Sequence, residues 1–184
     1  SAGPREGAST TAAGLARVLA LSGHRVVLVG GDLRSPSAVG APGAPGLAEV
    51  LVGTARLSQV LVEGEVPGLE LLPAGDMPGN PSELLGGRNM SDLLHHLAAD
   101  RIVIIDAPPV CRFTDAVVLA EYAGGVLLVA RAGRTSAEEL REAALAVGQG
   151  GGHMLGVVLT NVSDLGRGSR SAQTAVTHAE SATV

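Results

Sequence analysis

Four short stretches of the chain are apolar at nearly every position and rich in β-branched residues: Arg25-Val-Val-Leu-Val29, Arg101-Ile-Val-Ile-Ile105, Gly125-Val-Leu-Leu-Val-Ala130 and Leu155-Gly-Val-Val-Leu159. Strands buried on both faces have this composition, which is usual in parallel sheets. Leu69-Glu-Leu-Leu72 is a fifth, weaker candidate. Between these stretches the spacing of apolar residues becomes helical. Leu15, Val18 and Leu19 share one face of a helix that opens near Ser9 and stops at Gly23, a residue suited to the left-handed position after a helix. Met90, Leu93, Leu94 and Leu97 recur at helical spacing ahead of the Ile-rich stretch. Ser136 and Glu139 form a capping box in front of Leu140, Ala144 and Val147. Helix and strand alternating in this order predict a doubly wound, mainly parallel α/β sheet. Residues 35 to 46, rich in Ser, Pro, Gly and Ala, read as a loop, and Gly148 to Gly152 as another. One domain over residues 1–165 is expected, followed by a disordered tail over 166–184 in which no periodicity remains.

Composition narrows the chemistry. At 184 residues the chain suits one globular domain with a sizeable core. With one Phe, one Tyr and no Trp, that core must be built from Val, Leu, Ile and Ala. All 13 basic residues are arginine, so any mechanism that requires a lysine is excluded. A net charge of -5 argues against nucleic acid as a partner, because displacing counterions from phosphates needs a basic face. A single cysteine, Cys111, forbids an internal disulfide and fits a reducing compartment; with no His or acid partner evident in sequence, it reads as a small apolar filler. No apolar run reaches the length of a membrane span and no signal peptide is evident, so a cytoplasmic location is expected.

Candidate chemistry begins at the N-terminus. Ser1-Ala-Gly-Pro-Arg-Glu-Gly-Ala-Ser-Thr-Thr11 follows the outline of a Walker A loop, [AG]-x4-G-K-[ST], with Ala2 first, Gly7 second and Ser9 at the hydroxyl. Ala8 stands where the lysine belongs. Such a loop cradles phosphates with backbone N–H groups and a helix N-terminus, neutralises them with lysine, and holds Mg²⁺ with the hydroxyl. The first and third functions survive in this sequence and the second is gone. In α/β nucleotide-binding folds the loop follows a central strand. Here it starts at Ser1, so the sequence reads as a fragment of a longer chain whose first strand is missing. Two carboxylates, Asp32 and Asp106, stand at or just past the ends of apolar stretches, where α/β sheets bind ligands.

Further short matches fall in a fixed order: Val26-Val-Leu-Val-Gly-Gly-Asp-Leu-Arg34, then Ile102-Val-Ile-Ile-Asp-Ala-Pro-Pro109, then the stretch from Gly125 to Thr135, then Gly156-Val-Val-Leu-Thr-Asn161. Together with Pro73-Ala-Gly75 and Asn80-Pro-Ser-Glu-Leu-Leu85, they make the chain resemble the cytoplasmic domain of the bacterial tyrosine kinases of capsule and exopolysaccharide synthesis. The resemblance runs from Ser1 to about Asp164 and implies a P-loop NTPase fold. It implies ATP or ADP and Mg²⁺ as ligands. Gly7, Ala8, Ser9 and Thr10 then occupy the phosphate loop, Ser9, Asp32 and Asp106 the metal side, and Asp32 the place of a catalytic acid of the Walker A′ motif. Asn161 falls at an adenine contact and Arg134 on a neighbouring ligand-side loop, where it binds phosphate or caps a strand end. The implied partner is a membrane chain-length determinant or polysaccharide co-polymerase, fused or separate, which would hold the domain at the inner face of the plasma membrane; homo-oligomers are implied as well.

The departures are as informative as the matches. Ala8 removes the lysine charge, Gly30 replaces the first Walker A′ aspartate, and Arg5 replaces a glycine while offering a substitute charge. The tyrosine-rich tail of the family is absent, and the sole tyrosine, Tyr122, reads as packing. Three readings follow: a pseudokinase that binds nucleotide or scaffolds, a kinase or ATPase with residual activity, and a nonfunctional fragment. His95 and His96, adjacent on one helix, read as a solvated face.

Overall fold

A computed structural model describes residues 1–35, 39–41 and 43–162. The tail expected over 166–184 lies outside the described residues, as do parts of the loop expected over 35–46. In chain order the elements are α1 (Ala8–Leu21), β1 (Val26–Gly30), α2 (Leu47–Val52), α3 (Leu57–Val60), β2 (Val62–Glu63), β3 (Leu69–Leu72), α4 (Pro81–Leu85), α5 (Arg88–Ala98), β4 (Ile102–Asp106), α6 (Asp115–Tyr122), β5 (Val126–Arg131), α7 (Ala137–Gln149) and β6 (Met154–Thr160). All five strands expected from the apolar stretches form. So do the three expected helices, the last behind a capping box in which the Glu139 N–H donates to Ser136 Oγ at 3.1 Å and the Ser136 N–H to Glu139 Oε2 at 2.8 Å.

Strand β1 is the centre of a four-stranded sheet in the order β2-β3-β1-β4, parallel to both β3 and β4, with β2 added antiparallel at the edge. Successive side chains of a strand point to opposite faces, and β1 divides accordingly. Val27 and Val29 enter one core with Leu47, Leu51, Leu85, Met90 and Leu97 of α2, α4 and α5. Val26 and Leu28 enter a second core with Ala16 and Ala20 of α1. Helices thus cover both faces, as a doubly wound sheet requires.

The sheet is broken, however. β5 and β6 pair only with each other, in parallel, and among the described residues no ladder joins β5 to β4. Between those two strands lies a cavity of about 790 Å³, walled by Val103 and Ile105 of β4, Leu127 and Val129 of β5, and Ala12 and Leu15 of α1. Ser1 stands at its edge. The break leaves the facing edges of β4 and β5 without a ladder to each other among the described residues. It also explains why double-faced burial, realised in β1, is incomplete in β4 and β5, where Ile102 is 36% and Leu127 42% exposed. β6 departs differently. One face packs on α7, while Leu155, Val157 and Leu159 on the other are exposed.

Candidate phosphate and metal site

The chain enters the site beside the segment that leaves β4. The Ser1 and Ala2 carbonyls accept the N–H groups of Val110 and Cys111, at 2.8 and 3.3 Å, so the first residues lie along the segment that follows β4. Gly7 then turns the backbone into α1 with φ 95°, a left-handed conformation that side chains resist. A Cβ there would also stand 3.3 Å from the Thr160 methyl. No side chain caps the N-terminus of α1 and no acid lies in its first turn. Its leading N–H groups therefore present positive partial charge with no capping side chain. Ser9 and Thr10 sit in that first turn, and Ala8 lines the cavity edge together with Asp106.

A buried acid braces the loop from within. Glu6, 4% exposed, accepts the Gly3 N–H at 3.0 Å and the Thr135 hydroxyl at 2.6 Å, while its own carbonyl accepts the Thr160 hydroxyl at 2.6 Å. Thr160 ends β6 and Thr135 lies in the turn between β5 and α7, so that edge of the second sheet holds the loop. Arg5 adopts φ 62°, a left-handed conformation for a residue with a side chain. Its carbonyl accepts Arg131 Nη1 at 3.3 Å.

Asp106 ends β4 paired in register with Gly30, and its carbonyl accepts the Gly31 N–H at 2.8 Å. Asp32 follows two residues past β1, half-buried, with Oδ1 accepting the N–H groups of Arg34 and Ser35 at 3.1 and 3.2 Å. Burial pushes the Asp32 carboxyl above its usual range; the two N–H bonds oppose this, and the negative charges of Asp106 and Asp115 add to it. An acid whose folded pKa is raised lowers stability above that pKa, and the loss is relieved as pH falls toward the ordinary value of about 3.9. Asp32→Asn is therefore expected to leave the melting temperature unchanged or raise it at pH 7, with the gain fading on acidification. Thermal melts across that range check this, and a less stable Asn variant at pH 7 would contradict it.

Gly30 carries a second message. A Cβ at this position would lie 2.9 Å from the Ala74 backbone nitrogen. The missing first Walker A′ aspartate is thus matched by a close approach of the segment after β3, which is fixed by the Leu47 and Ala48 N–H groups donating to the Pro73 and Ala74 carbonyls.

Of the residues singled out from sequence, Gly7, Ala8, Ser9 and Thr10 fall on the loop and first turn, and Asp32 and Asp106 near the same sheet edge. Asn161 follows Thr160 directly, exposed, with φ 55°. Arg134 is exposed in the turn after β5, its N–H donating to the Arg131 carbonyl at 3.1 Å; it is Arg131 whose guanidinium reaches the loop. Cys111 requires correction: it is exposed, not a core filler, because the segment after β4 runs along the surface with its thiol toward the Glu139 carbonyl at 3.8 Å. Tyr122 packs against the first core, and its hydroxyl donates to the Gly86 carbonyl at 3.0 Å. His95 and His96 are exposed.

Sequence reasoning missed Glu6, Thr135 and Thr160, which meet across more than a hundred residues of chain through the Glu6 carboxylate and main-chain carbonyl. It also missed the pairing of Arg34 with Asp115. An acid in the first turn of a helix, such as Asp115, is by itself no signal of a partner.

Against Mg²⁺ and the phosphates of a nucleotide, the residues present match in backbone and oxygen donors and fall short in charge. Gly7 to Thr10 would hold phosphate oxygens, and Ser9, Asp32 and Asp106 the metal. Among the described residues no three His, Cys, Asp or Glu side chains converge, so Mg²⁺ would keep waters and phosphate oxygens as ligands, as it commonly does. No helix among the described residues is long and apolar enough to cross a membrane.

No family model matches the chain. It is 36% identical over 163 residues to the tyrosine-protein kinase YwqD of Bacillus subtilis, covering 86% of this chain and 69% of that protein. It is 35% identical over 163 residues to the tyrosine-protein kinase ptk of Acinetobacter johnsonii, of which it spans 22%. Among solved structures, the kinase domain of the Escherichia coli tyrosine kinase ETK superposes with a TM-score of 0.84 at 31% identity, over 92% of this chain and 68% of that one.

Proposed function

The chain belongs to the bacterial tyrosine-protein kinase family, and from that premise we propose that it is a P-loop domain that binds Mg·nucleotide weakly and is impaired in phosphoryl transfer. One observation carries this reading: the phosphate loop keeps its left-handed Gly7 and uncapped helix N-terminus, yet has Ala8 at the lysine position. A nucleotide phosphate there would meet N–H donors and a hydroxyl but no lysine ammonium, the group that neutralises the transferring phosphoryl. Bound Mg²⁺ would supply the remaining charge neutralisation. With the first Walker A′ acid also absent at Gly30, Asp32 is the acid left to accept a proton from an acceptor hydroxyl. The domain then serves capsule or exopolysaccharide synthesis as a nucleotide-dependent scaffold on a membrane chain-length determinant or polysaccharide co-polymerase, fused or separate.

Calorimetric titration with Mg·ADP and Mg·ATP is expected to give a dissociation constant of about 0.1 to 1 mM. Transfer of phosphate to a tyrosine peptide should stay at background. Absence of binding at several millimolar nucleotide would overturn the binding assignment, and robust peptide phosphorylation would overturn the impairment. A second reading, residual transfer, is favoured by one observation, the Arg131 guanidinium at the loop. It requires that peptide phosphorylation be measurable and be abolished by Arg131→Ala.

A further inference from the structure

The loop leaving β1 carries Asp32, and the residue two positions on ties that loop to the rest of the domain. Arg34 Nε donates to Asp115 Oδ2 at 2.5 Å, and Nη2 donates to Asp115 Oδ1 at 3.1 Å and to Ser82 Oγ at 3.1 Å. The Ser82 hydroxyl donates to Asp115 Oδ1 in turn. The Phe113 ring lies 4.7 Å from the guanidinium carbon. Asp115, the first residue of α6, is 0% exposed. Burial pushes its carboxyl up, but the bonds from Arg34 and Ser82 and the charge of Arg34 outweigh that and hold it below the usual range. A planar guanidinium gripping both oxygens of a fixed carboxylate has its orientation set as well as its position.

The main chain of the same residue faces the site, since the Arg34 and Ser35 N–H groups are the donors that hold Asp32 Oδ1. Three segments separated in sequence, 32–35, Ser82 of α4 and 113–115, therefore meet at one ionic cluster. A buried ion pair is a poor source of net stability, because desolvation consumes most of the attraction. It is a good source of defined geometry. We propose that Arg34 is a positioning residue: its bidentate pair with Asp115 fixes the backbone of residues 34 and 35 and through it the orientation of the Asp32 carboxylate. The consequence for ligand affinity rests on Asp32 being the metal-side acid proposed above, whereas the orienting of Asp32 does not.

The test uses the full chain, isotope-labelled, as wild type and as Arg34→Met, Arg34→Lys and Asp115→Asn. Arg101→Met is the control, since it breaks the other well-covered ion pair, Arg101 with Glu70, beside the start of β4. Amide exchange at residues 34 and 35 is expected to quicken at least tenfold in Arg34→Met and Asp115→Asn, with a shift of the Asp32 side-chain carboxyl resonance. The amides of Val27 to Val29 should be unaffected. Arg34→Lys, which keeps the charge and loses the fork, should fall between, and it decides the matter if the other two fail to fold. The control should lower thermal stability without altering residues 32 to 35. Unchanged exchange in Arg34→Met and Arg34→Lys, or an equal change in the control, would overturn the proposal. Mg·ADP affinity, measured in parallel, should fall at least fivefold in Arg34→Met and not in the control. Failure of the wild type to bind ADP counts against the function proposed above, and the exchange data still decide the role of Arg34.

Discussion

Ala8→Lys is expected to tighten Mg·ADP binding about 100-fold and to make peptide phosphorylation measurable. Restoring one partner of a desolvated charge pair is worth about 2–5 kcal/mol, and a hundredfold is about 3. Space is available, because Ala8 lines the edge of the cavity beside β4. The same substitution should slightly destabilise the unliganded domain, by about 0.3–1 kcal/mol, since it puts a cation at the positive end of α1. Tighter binding with a lower unliganded melting temperature is thus the expected pair of results, read by calorimetry and thermal melts. An unchanged affinity would mean that the loop does not seat phosphate. Gly30→Asp should not act in the same way. Gly30→Asp drives a Cβ to 2.9 Å from the Ala74 nitrogen, which is backbone and tethered to α2, so about 1–3 kcal/mol of overpacking strain is expected instead. The two positions are therefore unequal: a larger side chain finds open space at residue 8 and a close backbone neighbour at residue 30.

The second large effect concerns the break in the sheet. A five-residue Val- and Ile-rich extension joined directly to Ser1 is expected to raise the melting temperature by about 10 °C or more. Burying five such side chains yields about 1.5–3 kcal/mol each, against about 1–2 kcal/mol per residue for ordering them. Hydrogen bonds to the facing edges of β4 and β5 add about 0.5–1.5 kcal/mol apiece. A net gain of a few kcal/mol corresponds to about 2–4 °C per kcal/mol in a domain of this size. A Gly/Ser extension of equal length should have no effect. Slowed amide exchange at Val103, Ile105, Leu127 and Val129 would place the new strand in the cavity, and a melting temperature equal to that of the Gly/Ser control would rule this out.

What the sequence made legible follows from the reach of each signal. A strand of five apolar residues such as Val26–Gly30, or a four-residue stripe such as Met90 to Leu97, is a local pattern, and both appear where the pattern places them. α2, α3 and α4, with four to six residues each, are too short for a period of 3.6 to show, and β2 is only two residues long. α6 begins on a buried acid and carries two adjacent valines, so its pattern is blurred. The turn at Gly7 and the placement of Asp106 at the end of β4 were readable because each is set by residues adjacent in sequence. Glu6 with Thr135 and Thr160, and Arg34 with Asp115 and Ser82, were not, because each set is defined only after folding has joined distant segments. The exposure of Cys111 was illegible for a related reason: nothing local distinguishes a thiol inside a core from one on a surface segment.

The hydroxyl brace also orders events in time. The Thr160 bond to the Glu6 carbonyl spans 154 residues, and the Thr135 bond to the Glu6 carboxylate spans 129. Contacts so remote in sequence close late, because the entropy of the intervening loop must be overcome first, and a chain made from its N-terminus cannot close them before the distant residues exist. The Gly7 loop is therefore made well before the residues that brace it, and a nascent chain carries it without its brace until β6 has been made.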